Sequence, residues 1–506
     1  MDLFLFCPPF ASTKGTQQEA FQPHFWAKTA TVRRLSAPGR VTRVRRGHFA
    51  NLPSVGVRLH RAPMSQVGPS VSKLLRLAWP VALARLGIMG MGVVDVMVVG
   101  QFAPAELPYQ ALGWAPINVL TVAGIGLLTG VQVLAARGLG AGQPTEAGAA
   151  WRRGLGLSLA AGVLAALLVL GAGEQLLTTF GIAPELARPA LRVTHILMLS
   201  VPLQLMYVTS ALFLEALQRP LAATLAMWSA NVINLVLNLI LVPKLGAVGS
   251  AWCTVGARFS LAAVMLVYIW RLRDAESFGV RRPAAQPSYG ALLRVGTAAA
   301  ISHAAEAGAF SGTTLLAGRQ GPDAVAAYQV LLNVLSIVFM VSLGMSSATA
   351  VLTADSVGRR DEAGATRASY QGVLLNCGFM VVAALVLLGF SGPISRAYTA
   401  NLALAATLSS LMWLAALAMV PDGVQVVAAS ALRARGDAWF PTWSHLVAYV
   451  GVMPPLAYWL GEAQGRGVAG LVLAIFWSSV LSSAVLCSRL WWLHLKTLRL
   501  EQTREP

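Results

Sequence analysis

Three acidic side chains interrupt long apolar stretches of this 506-residue chain: Asp95, Glu306 and Asp422. Each lies well inside a run of about 20 mainly apolar residues, the length that crosses the hydrocarbon core of a bilayer. A carboxylate held at that depth costs on the order of 3 kcal/mol, and such residues commonly bind or move ions. Their type and depth therefore predict groups that take up and release a proton or a monovalent cation.

Two basic side chains also lie inside predicted apolar stretches. His303 lies one helical turn before Glu306 on the same face, where it either shares a proton with that carboxylate or packs as a neutral ring. Arg258 stands deep in another apolar stretch. It either pairs with a carboxylate such as Asp95 or extends its side chain towards the membrane surface.

Glu215 and Asp355 fall near the ends of apolar stretches rather than inside them. Arg219 and Arg359 follow them by four residues, within reach on the same helix face. We therefore expect both carboxylates to be solvated or paired with these arginines.

Amides and glycines mark possible helix contacts. Asn231, Asn234 and Asn238 share one helix face, where they either join helices by hydrogen bonds or offer carbonyl oxygens to a cation. Both interpretations stay open. Two GxxxG pairs predict close helix packing and nothing more: Gly126/Gly130 and Gly308/Gly312.

The elements that position these residues are transmembrane helices. The chain is 56% hydrophobic and only 11% charged, and backbone polar groups have no partner in lipid unless the span is helical. An all-α integral membrane protein follows. Twelve spans are predicted, at 74–99, 111–136, 153–173, 188–214, 221–243, 247–271, 290–318, 324–353, 368–390, 400–431, 439–460 and 467–493.

The net charge of +18 does not indicate a nucleic-acid partner. The distribution of the basic residues instead predicts the orientation of the protein in the membrane. After Met64, 20 Lys and Arg residues fall in segments on the side of the N-terminus and 6 on the other side. By the positive-inside rule, both termini are cytoplasmic. We expect a multi-pass protein of the cell inner membrane that has no nucleic-acid partner.

The membrane region is duplicated at a spacing of about 218 residues, and six groups of residues recur in order. They are Leu74-Leu75-Arg76 with Leu292-Leu293-Arg294, Gly100 and Pro104 with Gly318 and Pro322, Tyr109-Gln110 with Tyr328-Gln329, Glu146–Ala149 with Glu362–Ala365, Trp228 with Trp443, and Gly246/Gly249 with Gly467/Gly470. Six spans per half make the repeat parallel, with two lobes related by a pseudo-two-fold axis along the membrane normal.

This repeat defines the predicted domains: an N-lobe at 64–274, a linker at 275–288, a C-lobe at 289–495 and a cytoplasmic tail at 496–506. Residues 1–63 lie outside it and carry ten basic and two acidic residues. Three interpretations stay open for them: a start assigned too early, with Met64 as the true start, a disordered basic tail, or a transit peptide. A transit peptide would place the protein in a plastid envelope.

No motif for ATP hydrolysis is present. A phosphate-binding loop ends in Gly-Lys-Ser/Thr, whereas none of the five lysines here follows a glycine. Transport would therefore run on an ion gradient or downhill, with Na⁺ or H⁺ as the coupling ion and no other cofactor.

Three segments resemble the multidrug and toxic compound extrusion (MATE) transporters, and most nearly the NorM-like branch. Trp79-Pro80 and the run from Gly92 to Gly100 are similar to the first-helix signature of that family. The run from Ala326 to Val330 matches the eighth-helix entry, and the stretch from Asp422 to Asp437 resembles the tenth helix and its following loop.

The resemblance implies two six-helix lobes forming a V and the export of cationic, amphiphilic or aromatic compounds in exchange for Na⁺ or H⁺. Glu306 and Asp422 match the C-lobe carboxylates of cation binding, where Na⁺ is expected, and Asp95 matches the N-lobe carboxylate of coupling. Asn234 and Thr254 match N-lobe polar ligands. We expect a monomer surrounded by membrane lipid.

One departure shifts the expected mechanism towards the C-lobe. Asn238 stands where one branch of the family has a second aspartate, which weakens a mechanism based on N-lobe protonation alone.

The alternatives are an exporter or flippase of lipid-linked or other metabolites, a major-facilitator transporter and an intramembrane enzyme. This chain lacks the feature that each of them would need: several deep basic residues for the flippase, a basic loop after the second span for the major-facilitator transporter, and a catalytic cluster for the enzyme. Neither the substrate nor the choice between Na⁺ and H⁺ follows from the residues.

Overall fold

The computed structural model describes residues 70–179, 184–281, 289–399 and 401–502, and within these ranges the chain is helical, without strands. The helices are α1 Val71–Phe102, α2 Leu107–Gly140, α3 Pro144–Thr179, α4 Pro184–Met198, α5 Ser200–Ala216, α6 Leu221–Trp270, α7 Tyr289–Arg319, α8 Pro322–Gly358, α9 Glu362–Gly389, α10 Ser391–Tyr398, α11 Leu402–Ala434, α12 Trp439–His445, α13 Met453–Tyr458 and α14 Gly467–Gln502. A 3₁₀ turn, Pro104–Glu106, joins α1 to α2, and π-helical segments flank α13 at Leu446–Val452 and Trp459–Ala463.

All twelve predicted spans are found in helices. Nine stretches of the described chain are long and apolar enough to cross a membrane. One of them, the 50-residue α6, contains both the fifth and the sixth span. The seventh span is α7, the fourth combines α4 with α5, and the eleventh combines α12, α13 and the π-helical segments.

The kink in α6 separates its two spans and has a local cause. Gly246 adopts a φ of 56°, in the left-handed region that glycine tolerates best. The backbone N–H of Ala247 donates to Glu106 Oε2 at 2.7 Å. A carboxylate from the turn after α1 thus satisfies a donor that the kink would leave unpaired.

The two lobes, α1–α6 and α7–α14, meet through glycines at the end of the bundle where α1 and α7 begin. This end carries most of the arginines and is called the basic end below. A Cβ on Gly126 of α2 would lie 2.7 Å from the Cα of Ala300 in α7. A Cβ on Gly344 of α8 would lie 2.8 Å from the Cβ of Ala82 in α1. The helix backbones therefore touch, and no side chain fits between them.

These contacts confirm the register of the repeat, because residues 218 positions apart make equivalent contacts. Gly344 follows Gly126 by that spacing, and Ala300 follows Ala82. Within the lobes, the Thr224 hydroxyl donates to the carbonyl oxygen of Pro80, and the Thr442 hydroxyl donates to that of Ala298, each at 2.7 Å. The two lobes therefore share one packing scheme.

Two glycines in the second half of α7 make no close contact. A Cβ on Gly308 or Gly312 would meet no atom within 4 Å. The close packing predicted for this GxxxG pair is therefore wrong, whereas Gly126 and Gly130 do pack against α7. These close glycine contacts between α2 and α7 therefore lie in the first half of α7.

Several predicted segments lie outside the described residues. They are the N-terminal extension at 1–63, the linker beyond Arg281, and the last residues of the tail, 503–506. The part of the linker that is described follows α6 in turns, and Arg281 there donates to the carbonyl oxygen of Trp270 at 2.8 Å.

Candidate functional site

Two carboxylates come together inside the C-lobe. Glu306 of α7 and Asp422 of α11 are both buried, and the amide of Gln425 lies between them. Gln425 Nε2 donates to Glu306 Oε1 at 3.1 Å, and the same side chain interacts with Asp422 one turn earlier in α11. Neither carboxylate has a basic partner within 4 Å in the part of the chain that the structure describes.

Hydroxyl groups complete the surroundings of Asp422. Its Oδ1 atom accepts a hydrogen bond from Ser479 at 3.1 Å and another from Tyr449 at 3.3 Å. Tyr449 belongs to the π-helical segment Leu446–Val452, a wide turn that frequently marks functional sites. Pro421 immediately precedes Asp422 and removes one main-chain donor from α11.

His303 is not bonded to Glu306. Within the described residues, no hydrogen bond or ion pair joins the two side chains, so the predicted proton sharing is not seen. The preceding residue, Ser302, is the one that makes contacts: its hydroxyl accepts from Arg433 at 2.8 Å and lies 2.6 Å from His445 Nδ1. Arg433 is only 4% exposed. Arg433 is therefore a buried C-lobe cation, although it follows the end of the predicted span 400–431, where a solvated side chain is expected.

The N-lobe carboxylate has closer partners than those of the C-lobe. Asp95 of α1 is fully buried. Its Oδ1 accepts from the Asn238 amide at 2.7 Å, and its Oδ2 accepts from the Thr254 hydroxyl at 2.6 Å. Asn234 also faces it, one turn before Asn238. The structure thus brings together the four N-lobe residues that the resemblance selected.

The asparagine face joins helices, one of the two uses predicted for it. Asn231 donates to the carbonyl oxygens of Gly87 in α1 and Met227 in α6, at 3.0 and 2.9 Å, and so joins the two helices. Asn238 instead donates to a carboxylate. Amides on one helix face therefore bond main-chain carbonyls at one level and a buried carboxylate at another.

Arg258 follows neither predicted alternative. It is 5% exposed and does not extend to the membrane surface. Its Nη1 donates to Ser200 at 2.8 Å, and its guanidinium carbon lies 5.2 Å from the centre of the Trp114 ring. No direct ion pair to Asp95 forms within 4 Å among the described residues. Arg85, within the predicted span 74–99, is a second arginine inside a span and was missed by the sequence analysis.

Glu215 contradicts the prediction of a solvated span end. It is buried, lies 3.8 Å from Arg85, and accepts hydrogen bonds from Gln132 and Ser347, each at 2.6 Å. Ser347 belongs to α8 of the other lobe. Burial follows from the packing between lobes, which the position of Glu215 within its own span does not reveal.

The other span-end residues behave as predicted or find alternative partners. Asp355 forms the predicted ion pair with Arg359 at 2.6 Å. Arg219 pairs with Asp274 at 3.0 Å rather than with Glu215. Both pairs lie at the basic end. Of the two span-end carboxylates, the prediction is therefore wrong for Glu215 and correct for Asp355.

The residues that could hold a cation are two carboxylates and several neutral oxygens. Throughout the described residues, no group of three or more His, Cys, Asp or Glu side chains is arranged to bind a metal ion. Na⁺ between Glu306 and Asp422 would therefore need the hydroxyl oxygens of Tyr449 and Ser479 or the amide oxygen of Gln425. Hard oxygen donors of this kind suit a monovalent cation or a proton.

Comparison with known proteins gives a consistent family assignment. A family model described as MatE matches the chain twice, at residues 80–240 and 298–459, and the two matches begin 218 residues apart. The probable multidrug resistance protein NorM of Caulobacter vibrioides is 42% identical over 441 residues, which cover 85% of this chain and 93% of the relative. The multidrug resistance protein NorM of Burkholderia vietnamiensis is 31% identical, with 85% and 96% covered.

Solved structures agree with the fold. The outward-facing conformation of a multidrug resistance MATE family transporter of the MOP superfamily superposes with a TM-score of 0.77 and 18% identity. The superposition covers 85% of this chain and 97% of that one.

Proposed function

The chain belongs to the MatE family, and we propose that this multidrug efflux transporter exchanges cationic or amphiphilic small molecules for Na⁺ or H⁺. The relatives whose names specify multidrug resistance cover most of the chain. The exchange mechanism and the chemical class of the substrate are our proposal, derived from the buried charges.

The observation that carries the proposal is the carboxylate pair of the C-lobe. Glu306 and Asp422 share one amide, Gln425, and have no basic partner within 4 Å among the described residues. Two carboxylates this close repel each other when both are charged. Binding of a proton or Na⁺ relieves this repulsion, and so does a cationic substrate near the pair.

Competition between the ion and the substrate gives exchange. A bound ion neutralises the pair and lowers the affinity for a cationic substrate, and loss of the ion restores the negative charge. Because each ligand binds the two lobe arrangements with different affinity, it shifts their populations. Alternate loading of the pair then couples ion entry to substrate export.

The orientation of the cleft agrees with the last step of export. The lobes are packed together at the basic end, and Gly308 and Gly312 in the second half of α7 face open space. If the basic end faces the cytoplasm, as the positive-inside rule predicts, this arrangement is open to the outside. Both lobes belong to one chain, so a monomer in the cell inner membrane contains a complete transport path.

The test is export of a cationic dye from vesicles that contain the full chain, with a Na⁺ gradient and a pH gradient imposed separately. One of the two gradients should drive export. Asp422→Asn should reduce export to the level of empty vesicles while leaving membrane insertion intact. Asp323→Asn, the same change at an exposed position of α8, is the matched control and should export normally.

Two results would contradict the proposal. If neither gradient drives export by the unmodified chain, the protein is not an antiporter for these ions. If Asp422→Asn exports as well as Asp323→Asn, coupling does not depend on the C-lobe carboxylate pair.

A further inference from the structure

The neutral side chains that contact the C-lobe carboxylates present hydrogen atoms to them. Gln425 Nε2 donates to Glu306 at 3.1 Å. The Oδ1 atom of Asp422 accepts from the hydroxyl groups of Ser479 and Tyr449, at 3.1 and 3.3 Å. A hydroxyl group has a single hydrogen, and each of these two gives its hydrogen to Asp422. The closest neutral contacts of the pair are therefore donated hydrogens.

The oxygen of the Gln425 amide takes no part in these contacts. Gln425 is fully buried, and its Oε1 atom has no hydrogen-bond partner among the described residues. The nitrogen and the oxygen are the two branches of one planar amide, so an amide that gives an N–H to Glu306 holds its oxygen on the other side. Buried acceptors are nearly always hydrogen-bonded, either to protein or to ordered water. A donor is therefore expected on that side.

A buried histidine has a donor that also lacks a partner. His445 is 1% exposed, and its Nδ1 atom lies 2.6 Å from the Ser302 hydroxyl. That hydroxyl accepts from Arg433 at 2.8 Å, and its own hydrogen has no other acceptor in the described part of the chain. Ser302 therefore donates to Nδ1, which leaves the hydrogen of the neutral ring on Nε2. The Nε2 atom is buried and unpartnered within the described ranges.

The unpartnered donor and acceptor lie at the same level of the C-lobe. Tyr449 contacts Asp422, and a short turn at 435–438 joins their spans, which therefore run in opposite directions. His445 precedes Tyr449 by four residues, and Gln425 follows Asp422 by three. Both side chains thus lie about one helical turn nearer the basic end than the Tyr449–Asp422 contact. One water that bridges Nε2–H and Oε1 would satisfy both atoms.

A proton and a sodium ion make different demands on this arrangement. Na⁺ is bound by the lone pairs of oxygen atoms, such as those of carbonyl and carboxylate groups. To join a Na⁺ site, the Gln425 amide would have to turn its oxygen towards Glu306 and its NH₂ group towards His445. Donors would then face donors on the side of the histidine. A proton needs only one carboxylate oxygen and leaves the amide in place.

We propose that Gln425 and His445 determine the ion specificity of the C-lobe site, which exchanges H⁺ and not Na⁺. This inference rests on the antiport proposed above and names its coupling ion. His445 is a positioning residue: through the shared water it keeps the amide hydrogens of Gln425 on the carboxylates. In the described part of the chain, the charged or titratable side chains beside His445 are His303, Arg433 and Tyr449. They are present whichever ion binds.

The first measurement is dye export by the unmodified chain in proteoliposomes. With the pH held equal on both sides, a Na⁺ gradient should export a cationic dye no faster than empty vesicles do. A pH gradient in Na⁺-free buffer should drive export.

Two variants test the proposed cause of this specificity. His445→Leu removes the donor that holds the amide, so Gln425 is free to turn its oxygen to the carboxylates. At equal pH, the Na⁺ gradient should then raise export from the level of empty vesicles to a rate close to the pH-driven one. Gln425→Glu presents an oxygen in either orientation and should gain the same response to Na⁺.

Two controls accompany these variants. His445→Gln retains an N–H donor and should keep the specificity for protons. His195→Leu makes the same substitution at a half-buried position of α4, outside the C-lobe, and should also respond to the pH gradient alone. A general loosening of the protein would not distinguish His445→Leu from His445→Gln by the ion that drives export.

Either of two results would overturn the inference. One is export by the unmodified chain that a Na⁺ gradient drives at equal pH. This result needs no variant, so the inference stays testable even if the variants do not fold. The other is that folded His445→Leu and folded Gln425→Glu both fail to respond to Na⁺. Failure of the antiport itself is a different result, because neither gradient would then drive export by the unmodified chain.

Discussion

The same two positions carry different charges in the two lobes. In the N-lobe, Arg85 of α1 faces Glu215 of α5 at 3.8 Å. The residues 218 positions later are His303 of α7 and Arg433 of α11. They form no ion pair, and Arg433 donates to Ser302 instead. Helix packing is common to both lobes, whereas the charges placed on it are not.

The buried carboxylates of the two lobes also differ in how closely they are hydrogen-bonded. Both oxygens of Asp95 accept hydrogen bonds of 2.6–2.7 Å. The bonds accepted by Glu306 and Asp422 are longer, between 3.1 and 3.3 Å. A site that exchanges an ion must be left incompletely satisfied by its own protein.

Breaking the Arg85–Glu215 pair should have the largest effect on thermal stability and on the packing of the two lobes at the basic end. Glu215→Ala leaves Arg85, whose side chain is 13% exposed, without its ion-pair partner and removes the contact with Ser347 of the other lobe. Loss of one partner of a buried ion pair costs about 3 kcal/mol. Thermal unfolding of the purified protein should show this loss of stability. An engineered cysteine at the basic end should react faster with a water-soluble thiol reagent.

Replacing both partners provides the control. Arg85→Met combined with Glu215→Leu removes the uncompensated charge, and replacing a whole buried pair is often close to neutral. The double variant should therefore recover most of the thermal stability. If Glu215→Ala alone is as stable as the unmodified chain, the pair does not hold the basic end closed.

The sequence predicted the scaffold well because the patterns that encode it are long. Twelve apolar stretches and the 218-residue repeat involve many residues each, and the structure contains both. Among the span-end residues, the prediction was correct for Asp355, whose partner Arg359 is near in the chain.

Residues whose environment comes from distant helices were not predictable in the same way. Glu215 is buried because Gln132 and Ser347 reach it from two other helices, one of them in the opposite lobe. The Gly308/Gly312 pair has the GxxxG motif of closely packed helices, but a Cβ on either glycine would meet no atom within 4 Å. Whether a glycine pair packs depends on the angle between the lobes, which no local pattern contains.

Methyl groups added at the lobe interface should have the next largest effect. Gly126→Ala and Gly344→Ala each place a Cβ against the facing helix, at 2.7 and 2.8 Å from the nearest carbons named above. Such overpacking costs about 2 kcal/mol. Because the two sites are related by the repeat, the two variants should be destabilised equally, and both should open the basic end. Distances between spin labels on α2 and α7 would measure the opening.

The matched control is Gly308→Ala, which adds the same methyl group in the open half of α7. It should leave the label distances unchanged. If the two interface variants differ strongly from each other, the pseudo-two-fold relation of the contacts does not extend to their energetics.

A smaller effect is expected from the amide that links the C-lobe carboxylates. Gln425→Ala removes the hydrogen bond to Glu306 and the contact with Asp422. Loss of one such bond is worth about 1 kcal/mol, or roughly fivefold in the ion concentration that gives half-maximal export. Asn231→Ala removes an N-lobe amide that bonds only backbone carbonyls. That control should lower stability without changing the ion dependence.

The smallest effect is expected at His303, the position that corresponds to Arg85. His303 has no hydrogen bond to Glu306, whereas Arg85 has a carboxylate partner. His303→Gln should therefore change the free energy of unfolding by less than about 0.5 kcal/mol, and export should retain its dependence on the driving ion. A shift of the pH dependence of export in this variant, absent from Asp323→Asn, would show that His303 shares a proton with Glu306. His303 would then be a titrating group of the C-lobe in addition to Glu306 and Asp422, with no counterpart at Arg85.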